Sequence, residues 1–160
     1  MIFHASIPAD NPQRVAEVIA ELWGGKAEAF RFPPWPGAYV AIAGDDRGTT
    51  IEVYPRSQTM APGEGDAPTW PRLDESPSQF VAFHVAMQTT RSEEEVLSIA
   101  LREGWRALRC SRGEFFDVME FWVENRLHIE FLTPEMQAQY KNSVNLEMWR
   151  WTKEGQASAT

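Results

Sequence analysis

The 160-residue sequence predicts an α+β fold built from two tandem β-α-β-β-β units, and three observations carry that prediction. Phe-His occurs at Phe3-His4 and again at Phe83-His84, an offset of 80. A helical segment follows each, stopping at Gly24 and Gly104, again 80 apart. Ile-Glu then recurs at Ile51-Glu52 and Ile129-Glu130, an offset of 78. Self-similarity at a nearly fixed offset marks a duplicated supersecondary unit.

Each element has its own local cause. Ile2 to Ile7 reads as a strand, and Asn11-Pro12 as an N-cap followed by proline at the first helical position. Val15, Val18, Ile19 and Leu22 fall at i, i+3, i+4 and i+7, an amphipathic stripe that ends at Gly24. Short strands are expected near Ala27 to Phe32 and Ala38 to Ala43, then a turn over Gly44 to Gly48 and a strand through Thr49 to Pro55. The second half repeats the order. A strand spans Phe80 to Met87, and Ser92-Glu93-Glu94-Glu95 is a capping box that opens a helix with Val96, Ile99 and Ala100 inward. Strands follow near Trp105 to Cys110, Phe115 to Val123 and Leu127 to Leu132, the last two joined by a turn at Glu124-Asn125. Whether Met119 or Glu120 shares a face with Glu130 depends on whether that turn holds two or three residues.

Pro62, Pro68, Pro71, Pro77, Gly63 and Gly65 mark the intervening segment as a linker or lid without helix or central strand. Thr133-Pro134-Glu135 starts a further helix, with Leu146, Met148, Trp149 and Trp151 beyond it expected to pack on the sheet and the last residues to fray. The expected organisation is a first unit over 1–55, a linker over 56–78, a second unit over 79–133 and a C-terminal helical extension over 134–160.

Composition narrows the function classes. With 43% apolar and 24% charged residues the chain is an ordinary globular sequence. Cys110 is the only cysteine, which excludes an internal disulfide and a thiolate zinc site and suits a small core residue. A formal charge of −8 opposes binding to nucleic acid or anionic lipid by bulk attraction. No apolar run reaches membrane-helix length and no basic leader opens the chain, so a cytoplasmic protein is expected. The partners expected are a small-molecule substrate and a second copy of the chain, with no nucleic acid and no membrane.

The polar residues that repeat point to chemistry. In a strand alternate side chains share a face. His4 therefore lies with Ser6, His84 with Ala86, Glu52 with Thr50 and Tyr54, and Glu130 with His128, while Ile51, Val53, Ile129 and Phe131 turn toward the helices. His4 to Glu52 spans 48 positions and His84 to Glu130 spans 46, and packing alone gives no reason for both polar pairs to recur. Two imidazoles and two carboxylates on helix-free faces suit one divalent ion: zinc, nickel, cobalt, iron or manganese. His128 fits a solvated or core position, Trp35 a pocket mouth, and Ser6 beside His4 makes no triad.

A histidine in the first strand and a glutamate in the last strand of each of two β-α-β-β-β units resembles the vicinal oxygen chelate superfamily. The His-Glu-His-Glu set is most similar to glyoxalase I and its bacterial relatives. The resemblance implies curled mixed sheets around a metal-binding cleft, with His4, Glu52, His84 and Glu130 as ligands and Glu130 also as the proton-shuttling base. It implies a divalent-metal-dependent isomerase or lyase acting on a small substrate with vicinal oxygens, although no glutathione-binding set is matched. Two alternatives share the fold. One is an extradiol-type dioxygenase using His4, His84 and Glu130; the other is a metal-free protein that binds a drug or other small molecule.

Overall fold

A computed structural model describes residues 2–31 and 35–144. The chain divides into two compact units, the first taking the N-terminal half plus Val123–Leu127 and the second the remainder. The element order is β1 (His4–Ala9), α1 (Pro12–Trp23), β2 (Lys26–Ala29), β3 (Tyr39–Ile42), β4 (Thr50–Pro55), β5 (Gln58–Ala61), β6 (Trp70–Leu73), β7 (Val85–Gln88), α2 (Glu93–Glu103), β8 (Arg106–Ser111), β9 (Asp117–Val123), β10 (Leu127–Leu132) and α3 (Pro134–Ser143).

Each unit has a curled four-stranded sheet of the same topology, β1-β4-β3-β2 in one and β7-β10-β9-β8 in the other. In both, the first strand runs parallel to the last, β1 with β4 and β7 with β10. The connection between them needs a helix, because a parallel partner cannot be reached through a tight turn. The predicted α+β class and the doubled β-α-β-β-β order are thus observed.

Helix α1 starts where Asn11 accepts from the Arg14 amide at 3.1 Å. It ends at Gly24, whose φ of 71° is open to glycine without steric cost. Val15, Val18, Ile19 and Leu22 are fully buried and face Ile7, Ala41, Ile51 and Val53 of the first sheet. Each such side chain removed from water contributes about 1.5–3 kcal/mol before entropy is counted. Gly25 is needed for another reason: a Cβ there would stand 2.0 Å from the Ile42 carbonyl oxygen.

Helix α2 has the capping box the sequence foretells, with Ser92 and Glu95 bonded reciprocally to each other's backbone amides. It ends at Gly104 with a φ of 70°. Its buried stripe is shorter (Val96, Ile99, Ala100), and Leu101 is left outside. The second unit makes up the core with aromatics. Phe121 meets Phe131 edge to face at 5.4 Å and Trp105 at 5.8 Å, the geometry that ring quadrupoles favour.

Two expectations need correction, and one open alternative is resolved. The segment read as structureless between the units forms a two-stranded antiparallel ribbon, β5 with β6. Pro71 sits inside it opposite Met60, which a ribbon with no further strand alongside among the described residues can accommodate. Strand β7 begins at Val85, because Phe80, Val81 and Phe83 are all exposed and have no buried face to hold a ladder. His84 therefore stands just ahead of the strand. Finally, three residues separate β9 from β10, with Glu124 and Asn125 at φ 51° and 56°. That count puts Glu120, not Met119, on the face of Glu130; Met119 is fully buried on the other side.

Helix α3 opens at Thr133 and buries Met136. Tyr140 packs edge-on against Phe116 at 4.8 Å, and Gln139 accepts from the Asp117 amide at 2.9 Å. Leu146, Met148, Trp149 and Trp151 lie outside the described residues. Among the described residues no helix is long and apolar enough to cross a membrane.

Candidate functional site

The first sheet presents His4, Ser6, Thr50, Glu52 and Tyr54 on the face away from α1, since their neighbours Ile7, Ile51 and Val53 are buried beneath the helix. The ladder pairs His4 with Thr50 and Ser6 with Glu52, so His4 and Glu52 are diagonal neighbours on adjacent strands. Such neighbours are about 7–8 Å apart at Cα, within reach of long side chains. Ser6 Oγ donates to Glu52 Oε2 at 3.0 Å and Tyr54 OH donates to the same oxygen at 2.6 Å. Burial first, then the hydrogen bond to Glu52 and its negative charge, push the Tyr54 phenol well above its ordinary value. It stays a proton donor across the neutral range. Phe30 and Trp35 flank its ring at 5.7 and 4.6 Å. Beside Glu52 a cavity of about 460 Å³ opens against Val40, Ile42 and Thr50.

The second sheet repeats the placement. Ala86 pairs with Glu130, and His84 lies one step before the first pair, Val85 with Ile129. The His84 ring stacks on His128 at 5.3 Å, and His128 in turn stacks on Trp122 at 5.1 Å. His128, expected to be solvated or in the core, is instead the middle of a three-ring column, with its Nε2 buried and lacking a partner among the described residues. The column supports the His84 ring by its face and leaves the in-plane nitrogens available.

Glu130 is 7% exposed, and a carboxylate so deep needs a compensating charge. Arg112, in the turn after β8, supplies it at 2.5 Å while its Nη2 also reaches Glu120 at 2.9 Å. The hydrogen bonds to Glu130 and Glu120 hold the guanidinium still more firmly protonated. Burial works to raise the Glu120 carboxyl, but hydrogen bonds from Arg112 and Cys110 outweigh it and hold the group below its usual range. Burial first, then the Glu120 charge, raise the Cys110 thiol, so it is a poor nucleophile.

Among the described residues, no group of three or more His, Cys, Asp or Glu is gathered in one place suited to a metal ion. The repeated pairs, His4 with Glu52 and His84 with Glu130, fall on the helix-free faces of separate units, where Glu28 joins the first and His128 and Glu120 join the second. The donor chemistry fits a divalent ion: among the described residues Glu52 has only hydroxyl partners and no cation, and Glu130 shares one guanidinium with a second carboxylate. Sequence reasoning placed Tyr54 on the face of Glu52 but gave it no role, and it missed Arg112. Tyr54 stands two residues from Glu52 and shares its face by strand alternation, a signal that was present. Arg112 lies in a turn, where no periodicity points.

No known protein family's sequence profile matches the chain, and no curated protein matches it in sequence. Solved structures do match in shape. A protein assigned to the glyoxalase family from Bacillus anthracis gives a TM-score of 0.50 at 13% identity, covering 82% of this chain and 92% of its own. The genomically encoded fosfomycin resistance protein FosX from Listeria monocytogenes gives 0.50 at 11% identity, covering 85% and 96%. A hypothetical protein from S. aureus gives 0.50 at 12%, covering 83% and 96%. The chain has the fold of the vicinal oxygen chelate superfamily. At these identities the likeness concerns the fold alone.

Proposed function

We propose that the protein is a divalent-metal-dependent, glyoxalase-like isomerase or lyase acting on a small substrate with vicinal oxygens. The observation that carries this reading is the recurrence of a His and Glu pair in both units, His4 in β1 with Glu52 in β4 and His84 one residue ahead of β7 with Glu130 in β10. His4 and Glu52 form one donor pair and His84 and Glu130 the other. A divalent ion, when bound, polarises a substrate carbonyl. Ser6 and Tyr54 fix the Glu52 carboxylate by donating to one of its oxygens, and Tyr54 stays protonated while doing so. Glu130 is the base that takes and returns a proton between adjacent carbons, once Arg112 releases its oxygen.

The test is metal analysis of the full chain purified without chelator, set beside Glu52→Gln and Glu130→Gln. The expected result is about one transition-metal equivalent per chain in the wild type and a loss in both variants. Full metal content in both variants overturns the four-donor set. One observation favours a second reading, a metal-free small-molecule binding protein: the Arg112–Glu130 ion pair already compensates the most buried candidate ligand. Under that reading, adding zinc or nickel to chelator-treated protein leaves its melting temperature unchanged.

A further inference from the structure

The equivalent helices of the two repeats begin differently. At α2 the cap is local: Ser92 accepts from the Glu95 amide, and the Glu95 carboxylate accepts from the Ser92 amide at 2.8 Å. At α1 only half of that arrangement is present. Asn11 accepts from the Arg14 amide at 3.1 Å, but Arg14 stands where a capping box places Glu or Gln, and the first turn holds no acidic residue. Nothing in α1 itself gives the Asn11 amide the carboxylate that Ser92 receives from Glu95.

Glu124 supplies it from 113 positions away. Its Oε1 accepts from the Asn11 amide at 2.8 Å and its Oε2 from the Asp10 amide at 2.6 Å. Bonds from amides to a carboxylate are charge-assisted, and a negative charge there suits the positive end of the helix. The grip is two-sided, because Arg126 of the same turn reaches the Asp10 carboxylate at 3.2 Å. The turn is closed by the Arg126 amide, which donates to the Val123 carbonyl at 3.0 Å. Glu124 holds a φ of 51° in it, a conformation that costs any residue with a side chain. Glycine would take that φ freely, so turn formation alone gives no reason for a glutamate at 124. Val123–Leu127 also belongs to the first compact unit, although the strands it joins lie for the most part in the second.

We infer that the β9–β10 turn is a clasp, in which Glu124 serves as the capping acid of α1 in place of a residue of the helix itself. The start of α1 is complete only when a hairpin more than a hundred positions later has formed. The first repeat therefore reaches its final form only together with the second. The cap of α2, made within its own helix, carries no such dependence.

The test follows amide hydrogen exchange and thermal melting of the full chain. Glu124→Ala should speed exchange of the Asp10 and Asn11 amides by about tenfold and leave the Ser92 amide unchanged. Glu124→Gly removes the carboxylate and also relieves the positive φ. A residue present only for the turn would melt higher on that change, whereas a clasp melts lower, by about 3 °C. The discriminating variant lies on the helix. Arg14→Gln puts a box partner at the third helical position without setting a like charge beside Glu17. In the Glu124→Ala background it should return the Asn11 amide to near its wild-type exchange rate and leave the Asp10 amide fast. A general loss of stability would not produce that split. Asp10 and Asn11 amides that exchange equally fast in wild type and Glu124→Ala, or a Glu124→Gly protein that melts at or above wild type, overturn the assignment.

Discussion

Glu52 and Glu130 occupy the same position in two copies of one unit, and the protein stabilises them in different ways. Glu52 is half-buried and held by two neutral hydroxyls, Ser6 and Tyr54. Glu130 is deeper and held by a guanidinium that bridges it to Glu120. The first arrangement orients a carboxylate and leaves its charge uncompensated; the second neutralises the charge and ties the group down. Under the proposed function the two donor pairs differ in their readiness to take a cation, the first oriented by hydroxyls and the second tied to a guanidinium.

The largest effect expected from breaking this asymmetry is on the guarded side. Arg112→Met leaves Glu120 and Glu130 facing each other without a cation. Breaking a fully buried pair costs about 3–5 kcal/mol. The Arg112 side chain is 34% exposed, so solvent screening reduces the expected loss to about 2 kcal/mol, read by urea unfolding. Adding Glu130→Gln in the same background should restore part of it. If Glu130 is a ligand, Arg112→Met also binds cobalt more tightly than wild type in a spectrophotometric titration, although it is less stable. Weaker cobalt binding would mean that Arg112 does not guard the site.

On the open side, Tyr54→Phe removes the shorter of the two bonds to Glu52 and should cost about 1.5 kcal/mol at neutral pH, with Ser6→Ala costing less. The pH dependence sharpens this. The folded phenol ionises above the unfolded value of about 10, so its contribution is fully present below that pH and is lost as pH rises further. The stability advantage of wild type over Tyr54→Phe should shrink from about pH 10 upward. An advantage that grows there would reverse the assigned direction. The smallest effects concern the helices: Ser92→Ala and Asn11→Ala should each cost about 1 kcal/mol, Ser92 the more because its capping box is reciprocal. Thermal melts of the pair check that order.

The parts legible in the sequence were those fixed by local backbone chemistry and repetition. Gly24 and Gly104 end their helices at nearly the same φ, and proline, asparagine and serine stand where helices must begin. The faces of His4, Glu52 and Glu130 followed from strand alternation once the ladders were placed, whereas His84 falls just ahead of its strand. What stayed hidden depends on contacts between residues distant in the chain. Arg112 reaches Glu130 across 18 positions from a turn with no periodicity of its own. Strand β7 is shorter than its apolar run suggests, because Phe80, Val81 and Phe83 are exposed and give the run no buried face. The β5–β6 ribbon has too few inward residues to show an alternating pattern, and its prolines argue against a strand until the ribbon is seen to stand apart from both four-stranded sheets.

That separate ribbon bears on solubility. Two strands with no third among the described residues have two open edges, each a template on which another chain could add. Pro71 interrupts the donor row of β6, and the strand is only four residues long. Trp70 and Leu73 are exposed on it, yet the edge beside them is too short and too interrupted for strand-by-strand growth. The proline density that disguised the element as a loop is also what lets it stand in water without recruiting its neighbours.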